Sequence, residues 1–182
     1  GAKVSDKIDV IKKLLPKVNH ILLGGGPANT FLKASGVNIG GSLFEASELE
    51  IAKELLKSHK IVIPQDSSKT GNTILDIGPK TIKCYSDIIK FAETIVWGGP
   101  MGLFEKKKFS IGTKAIWQAI IRNKKATVVV GGGETIASLK LITADFKLKN
   151  KNIFLSTGGG AMLEFLAGKK LPALVALKLQ RR

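Results

Sequence analysis

Four times along the chain, a short run of apolar, β-prone residues leads into a glycine cluster and then into a helical pattern. His20–Leu23 leads into Gly24-Gly25-Gly26 and PANTFLKASG, with Gly36 placed to end the helix; Thr94–Trp97 leads into Gly98-Gly99-Pro100. Ala126–Val130 leads into Gly131-Gly132-Gly133 and ETIASLKL. Asn152–Leu155 leads into Ser156-Thr157-Gly158-Gly159-Gly160 and AMLEFLAG, with Gly168 as the stop. Short β-rich runs alternating with helices predict an α/β chain with a mainly parallel sheet covered on both faces, a Rossmann-like, doubly wound three-layer sandwich.

The segments between these units fit the same scheme. In DKIDVIKKLL, the residues Ile8, Ile11, Leu14 and Leu15 fall on one helical face, and Pro16 marks its end or a kink. Ser47 and Glu50 have the spacing of a capping box ahead of a helix carrying Leu49, Ala52, Leu55 and Leu56. Ile61–Ile63 reads as a buried strand stopped by Pro64. Residues 65–73, QDSSKTGNT, read as a polar loop, and Ile74–Ile77 as a strand closed by Gly78-Pro79. Helical patterns follow at about 81–92 and 112–122. With no linker or low-complexity tract, residues 1–182 are expected to form one domain.

Composition narrows the classes. Hydrophobic residues are 44% and charged residues 24%, a globular balance. No apolar run approaches the roughly 18 residues of a membrane span, and GAKVSDKIDV has no signal-peptide core, so neither membrane insertion nor secretion is expected. The single cysteine, Cys84, makes no internal disulfide, and His20 and His59 have no metal-ligand spacing. A reducing, cytoplasmic setting is the expectation. Twenty-nine Lys+Arg against 14 Asp+Glu give +15, which points to an anionic partner. The densest basic patches are Lys106–Lys108, Lys147/Lys149/Lys151 and Arg181-Arg182. No basic–aromatic alternation marks a nucleic-acid surface, and aromatic residues are only 6%, so nucleic acid is disfavoured.

The glycine clusters carry the chemistry. Glycine lets backbone approach a phosphate closely, and a helix N-terminus offers unpaired N–H groups at the positive end of the helix dipole. In a doubly wound sheet such turns lie at the carboxyl ends of the strands, where ligands bind. Any one cluster is explained by a tight turn; four in series predict an anion or nucleotide site. The common fingerprints are excluded. No GxxxxGK[ST] occurs, and Asn29, Ile136 and Leu163 stand where GxGxxG needs its last glycine.

Taken in order, GAKVSDKI, GGGPANTFLKASG, LDIGPKTI, TIVWGGPMGLFE, GTKAI, VVVGGGETIA and STGGGAMLEFLAGKKLPALVAL resemble phosphoglycerate kinase over nearly the whole chain, most weakly over about 42–73. The match is to the carboxyl-terminal, nucleotide-binding half of that family. The amino-terminal half, which holds 3-phosphoglycerate in an arginine-rich patch, and the strand leading into GAKVSDKI have no counterpart here. The resemblance implies a monomer that binds ADP or ATP with magnesium and transfers phosphoryl reversibly between 1,3-bisphosphoglycerate and ADP. The chain alone is expected to be inactive without the amino-terminal domain, since its arginines, Arg122, Arg181 and Arg182, form no such patch.

The resemblance also implies residue roles. Gly1 and the cluster containing Gly24 and Gly25 would wall the adenine pocket, with Leu75 and Met101 as apolar lining and Pro100 shaping its edge. Lys3 and Lys7 would face the phosphates, Lys3 steadying the phosphoryl in flight. Glu105 would hydrogen-bond the ribose. Gly133, Glu134 and Thr135 would hold the metal–nucleotide phosphates, with Glu134 as metal ligand. Gly158, Gly159 and Gly160 would present N–H groups to the transferred phosphoryl. Four positions depart from the family pattern: Gly98 where it has Asn, Glu134 where it has Asp, Pro27 where it has Met, and Ile74 where it has a small residue. They leave open a divergent enzyme or a weakened nucleotide site. A non-catalytic basic module for RNA or another polyanion is the alternative function.

Overall fold

The computed structural model describes residues 5–142, 151–177 and 179. Gly1, Lys3, Lys147, Lys149, Arg181 and Arg182 lie outside them. Helix α1 (Ser5–Leu14) runs into a 3-10 turn that contains Pro16. Strand β1 (Ile21–Leu22), helix α2 (Gly25–Ala34), helix α3 (Leu49–Leu55) and strand β2 (Ile61–Val62) follow. β1 and β2 pair in parallel, Ile21 with Ile61 and Leu22 with Val62. Strands β3 (Ser67–Thr70) and β4 (Thr73–Ile77) precede helix α4 (Pro79–Lys90). The rest of the described chain is β5 (Thr94–Trp97), α5 (Ile111–Arg122), β6 (Thr127–Gly131), α6 (Gly133–Ile142), β7 (Ile153–Ser156), α7 (Gly159–Leu166) and α8 (Pro172–Ala176).

Two parallel ladders, β1-β2 and β5-β6-β7, make the expected α/β framework. Helix follows strand in each unit, and burial shows why. Ile116, Trp117 and Ile120 of α5, Tyr85 and Ile89 of α4 and Leu139 of α6 close over Trp97, Val128, Val130 and Ile153 of the β5-β6-β7 sheet. Trp97 and Trp117 stack with ring centres 6.1 Å apart, so Trp97 is core, as its place at the end of an apolar strand implies. α1 is apolar on two sides: Ile8 and Ile11 pack with Ala28, Phe31 and Leu55, while Val10 packs with Leu163 and Ala167. It therefore joins the α2–α3 pair to α7. The Tyr85 hydroxyl lies 2.8 Å from Leu23 O and 2.9 Å from Val62 O, sharing one proton between the carboxyl ends of β1 and β2.

Helix ends follow backbone chemistry. Beyond α2, Gly36 sits at φ +87°; its N–H donates to Lys33 O and that of Val37 to Leu32 O, the crossed pair of a Schellman stop. Gly168 repeats the device after α7.

Two expectations are corrected. Residues 65–73 are not a loop throughout: Ser67–Thr70 pairs antiparallel with β4, so Ile74–Ile77 belongs to a hairpin outside the two parallel ladders. The turn is Gly71-Asn72, with Gly71 at φ +55°, and its polar strand lacks the apolar alternation by which strands are recognised. The capping box also fails. Ser47 lies inside a 3-10 turn, Ala46–Glu48, and α3 begins after Glu48 with no side-chain cap. Glu45 turns the chain instead by donating its N–H to Thr30 Oγ1 at 3.1 Å. Among the described residues, no helix is long and apolar enough to cross a membrane.

Candidate functional site

Parallel register brings the glycine turns together. Trp97 pairs with Val130 and Val130 with Leu155, and Gly131 pairs with Ser156. The residues that follow Trp97, Val130 and Leu155, namely Gly98, Gly131 and Ser156, thus leave the same end of the sheet side by side. The fourth turn joins them through a hydrogen bond from Gly25 N–H to Met101 O at 3.0 Å.

Between these turns lies an open cleft of about 210 Å³. Gly98 and Gly99, Gly131–Gly133 with Glu134 and Thr135, and Gly159, Gly160 and Leu163 line it, together with Lys7 from α1. Two of the glycines are required by conformation. Gly132 and Gly159 have φ of +103° and +47°, and a Cβ on Gly159 would stand 3.6 Å from Gly132 Cα. Two turns thus meet backbone to backbone.

That contact sets the electrostatics. Ile136 N–H donates to Gly132 O and Met162 N–H to Gly158 O, so α6 and α7 both start at this point. The first-turn N–H groups of Gly133, Glu134 and Thr135, and of Gly159, Gly160 and Ala161, have no carbonyl one turn back to accept them. Two helix N-termini with partial positive charge therefore border one cleft, an arrangement that favours a multiply charged anion. Not every donor is free for it. Gly132 N–H donates to Ser156 O at 3.1 Å, and Gly99 N–H to Thr135 Oγ1 at 2.8 Å.

The expected site residues fall into two groups. Lys7, Gly133, Glu134, Thr135, Gly159 and Gly160 line the cleft. Lys7 is half-buried, whereas Glu134 is exposed. The Thr135 side chain is 1% exposed and faces the protein. Gly158 stands just outside as the residue before α7, its N–H donating to Ser156 Oγ at 3.2 Å.

Gly24, Gly25, Leu75, Pro100, Met101 and Glu105 form the second group, around the segment joining β5 to α5. Met101 is buried against Gly24, where any added Cβ would collide with it, and Leu103 N–H donates to Leu75 O at 2.8 Å. Glu105 is exposed in a turn and forms no ion pair with Lys106, Lys107 or Lys108. Gly1 and Lys3 lie outside the described residues.

Sequence reasoning missed the supports of this joining segment. Thr113, fully buried at the start of α5, accepts from Met101 N–H at 3.0 Å. Asp76, 2% exposed, accepts from Gly112 N–H at 2.7 Å and from Ile77 N–H at 2.9 Å. A Cβ on Gly102 or Gly112 would overlap the Asp76 carboxylate, so both glycines are fixed by it. Burial pushes the Asp76 carboxyl up to about 6, against the lowering effect of those two N–H groups. The available signal was a carboxylate inside the apolar run ILDI.

The phosphoglycerate kinase family model matches residues 1–169. The chain belongs to the phosphoglycerate kinase family. Its sequence is 46% identical to phosphoglycerate kinase of Koribacter versatilis over 97% of the chain and 49% of that protein. For the Lactobacillus helveticus enzyme the figures are 46%, 98% and 48%. Among solved structures, phosphoglycerate kinase from Coxiella burnetii superposes with a TM-score of 0.84 at 39% identity, covering all of this chain and 52% of that one. The Pyrococcus horikoshii enzyme gives 0.84 at 33% identity, over 98% and 50%. The chain thus spans about half the length of the relatives it matches.

Proposed function

We propose that residues 1–182 form the nucleotide-binding domain of a phosphoglycerate kinase, taking ADP or ATP at the end of the β5-β6-β7 sheet. The observation that carries this reading is the meeting of the α6 and α7 N-termini at Gly132 and Gly159, in a chain of this family. The phosphates belong in the cleft. There the first-turn N–H groups and the Lys7 ammonium neutralise charge, and phosphoryl transfer depends on that and on positioning more than on covalent chemistry. The nucleoside belongs beside the β5–α5 segment, with Gly24, Gly25, Leu75 and Met101 against the base, Pro100 at its edge and Glu105 on the ribose.

Glu134 suits magnesium. It is an exposed carboxylate at the cleft, and among the described residues no cluster of three His, Cys, Asp or Glu competes with it. Magnesium takes few protein ligands and the rest from phosphate and water, so one carboxylate suffices. When bound, the ion would neutralise phosphate charge. Gly159 and Gly160 would steady the transferred phosphoryl together with Lys3, while Gly158, whose N–H is held by Ser156 Oγ, would shape the turn that presents them. In the intact enzyme, a cytoplasmic glycolytic transferase, the reaction moves phosphoryl between 1,3-bisphosphoglycerate and ADP, the acyl phosphate being presented by an amino-terminal domain.

Calorimetric titration with ADP tests this reading. Binding that weakens when magnesium is withheld, and weakens again in Glu134→Ala, is expected. Absence of heat at millimolar Mg·ADP, from a folded chain, would refute it.

A further inference from the structure

We propose that Thr135 is a positioning residue whose hydroxyl fixes the separation of two glycine turns, rather than a side-chain ligand of the anion; the functional consequence rests on the nucleotide reading above. Thr135 is the third residue of α6 and 1% exposed. Its Oγ1 accepts from Gly99 N–H at 2.8 Å and donates its proton to Gly131 O at 2.9 Å. One hydroxyl thereby ties the turn after β5 to the end of β6. Both tied turns carry glycines in the left-handed region, Gly99 at φ +130° and Gly132 at φ +103°, so neither turn has a side chain at that residue to hold its shape.

Two chemical consequences follow. The hydroxyl proton is committed to Gly131 O and Gly99 N–H is committed to the hydroxyl, so neither is offered to a phosphate. The ligand's donors must come from the first turns of α6 and α7, and the Thr135 hydroxyl sets how far the turn Gly98-Gly99 stands from the start of α6. Valine has the shape of threonine without its hydrogen bonds, and would leave a buried N–H and a carbonyl unpaired. Serine keeps both bonds.

Amide hydrogen exchange and Mg·ADP titration on the full chain test the assignment in wild type, Thr135→Val and Thr135→Ser. The wild-type Gly99 amide should exchange slowly. In Thr135→Val it should exchange about tenfold faster or more, the change being confined to Gly99 and Gly131–Gly133, and Kd for Mg·ADP should rise about tenfold; Thr135→Ser should stay within about threefold of wild type in both. Unchanged Gly99 exchange in the valine variant overturns the proposal, as does faster exchange with unchanged ADP affinity, or a serine variant as impaired as valine. Loss of protection throughout the chain would also count against it, since it would mark general destabilisation. If the valine variant does not fold, wild type and Thr135→Ser decide: protection of Gly99 in both supports the tie, and unprotected exchange overturns it. A wild-type chain that binds no ADP defeats the nucleotide reading, while the exchange arm still decides the tie.

Discussion

Gly132 and Gly159 concentrate the site's demands into two residues without side chains. At φ +103°, alanine at Gly132 is strained whatever space surrounds it, and such substitutions cost about 1 kcal/mol or more. We expect Gly132→Ala to lower thermal stability and to weaken ADP binding, since the α6 N-terminus must shift; thermal melts and titration on one preparation check both. Gly98 differs, because it has an ordinary φ and a Cβ there would lie 3.3 Å from Leu163 Cδ1, so Leu163 must give by a few tenths of an ångström. Gly98→Asn adds an amide at the cleft wall and is expected to tighten ADP binding. Equal or weaker binding would mean that the wall does not contact phosphate. Glu105→Ala should weaken ADP binding by about 0.5–1.5 kcal/mol, or more if charge-assisted, while leaving stability unchanged, because Glu105 is exposed and forms no ion pair among the described residues.

Among the elements, the segment between β5 and α5 depends most on partners distant in sequence. Thr135 holds Gly99, Thr113 holds Met101, Leu75 holds Leu103, and Asp76 holds the start of α5. Asp76 gives this region a pH signature. Its carboxyl moves from 3.8 to about 6 on folding through burial, so the folded state binds more protons than the unfolded state between those values. Stability therefore falls as pH rises from about 4 to about 6, by up to roughly 3 kcal/mol from this group. Asp66 acts in the opposite sense at lower pH. Burial pulls its carboxyl up, but N–H donation from Lys80 and Thr81 and the Thr81 hydroxyl outweigh that, so its contribution is lost only as pH falls below 3.8. Asp76→Asn is expected to flatten the stability profile between pH 4 and 6 in denaturant titrations; an unchanged slope would place the proton elsewhere. Strand–glycine–helix units, helix stops and the core role of Trp97 were legible in the sequence because each rests on local periodicity or backbone conformation. The hairpin at 67–77 and the supports Asp76, Thr113 and Thr135 were not: a polar strand has no apolar period, and a buried carboxylate or hydroxyl shows its partner only once the chain is folded.

For the molecule as a whole, the proposed function makes the chain one side of a phosphoryl-transfer site. Most of the rate in such reactions comes from bringing donor and acceptor into line, and among the described residues that line the cleft Lys7 is the one cationic side chain. We therefore expect the purified chain to show no turnover of 3-phosphoglycerate in a coupled assay, and turnover to appear when an amino-terminal half from a related phosphoglycerate kinase is added. Activity in the chain alone, above a mock preparation, would show that the acyl-phosphate site has been misplaced. The most direct test of the central claim is a nitrogen-15 NMR titration of the chain with Mg·ADP. The account predicts that the largest amide shifts fall on Gly133, Glu134, Thr135, Gly159, Gly160 and Ala161, with a second group at Gly24–Gly25 and around Glu105. Shifts absent at both helix N-termini, or confined to the lysine patch at 106–108, would contradict it.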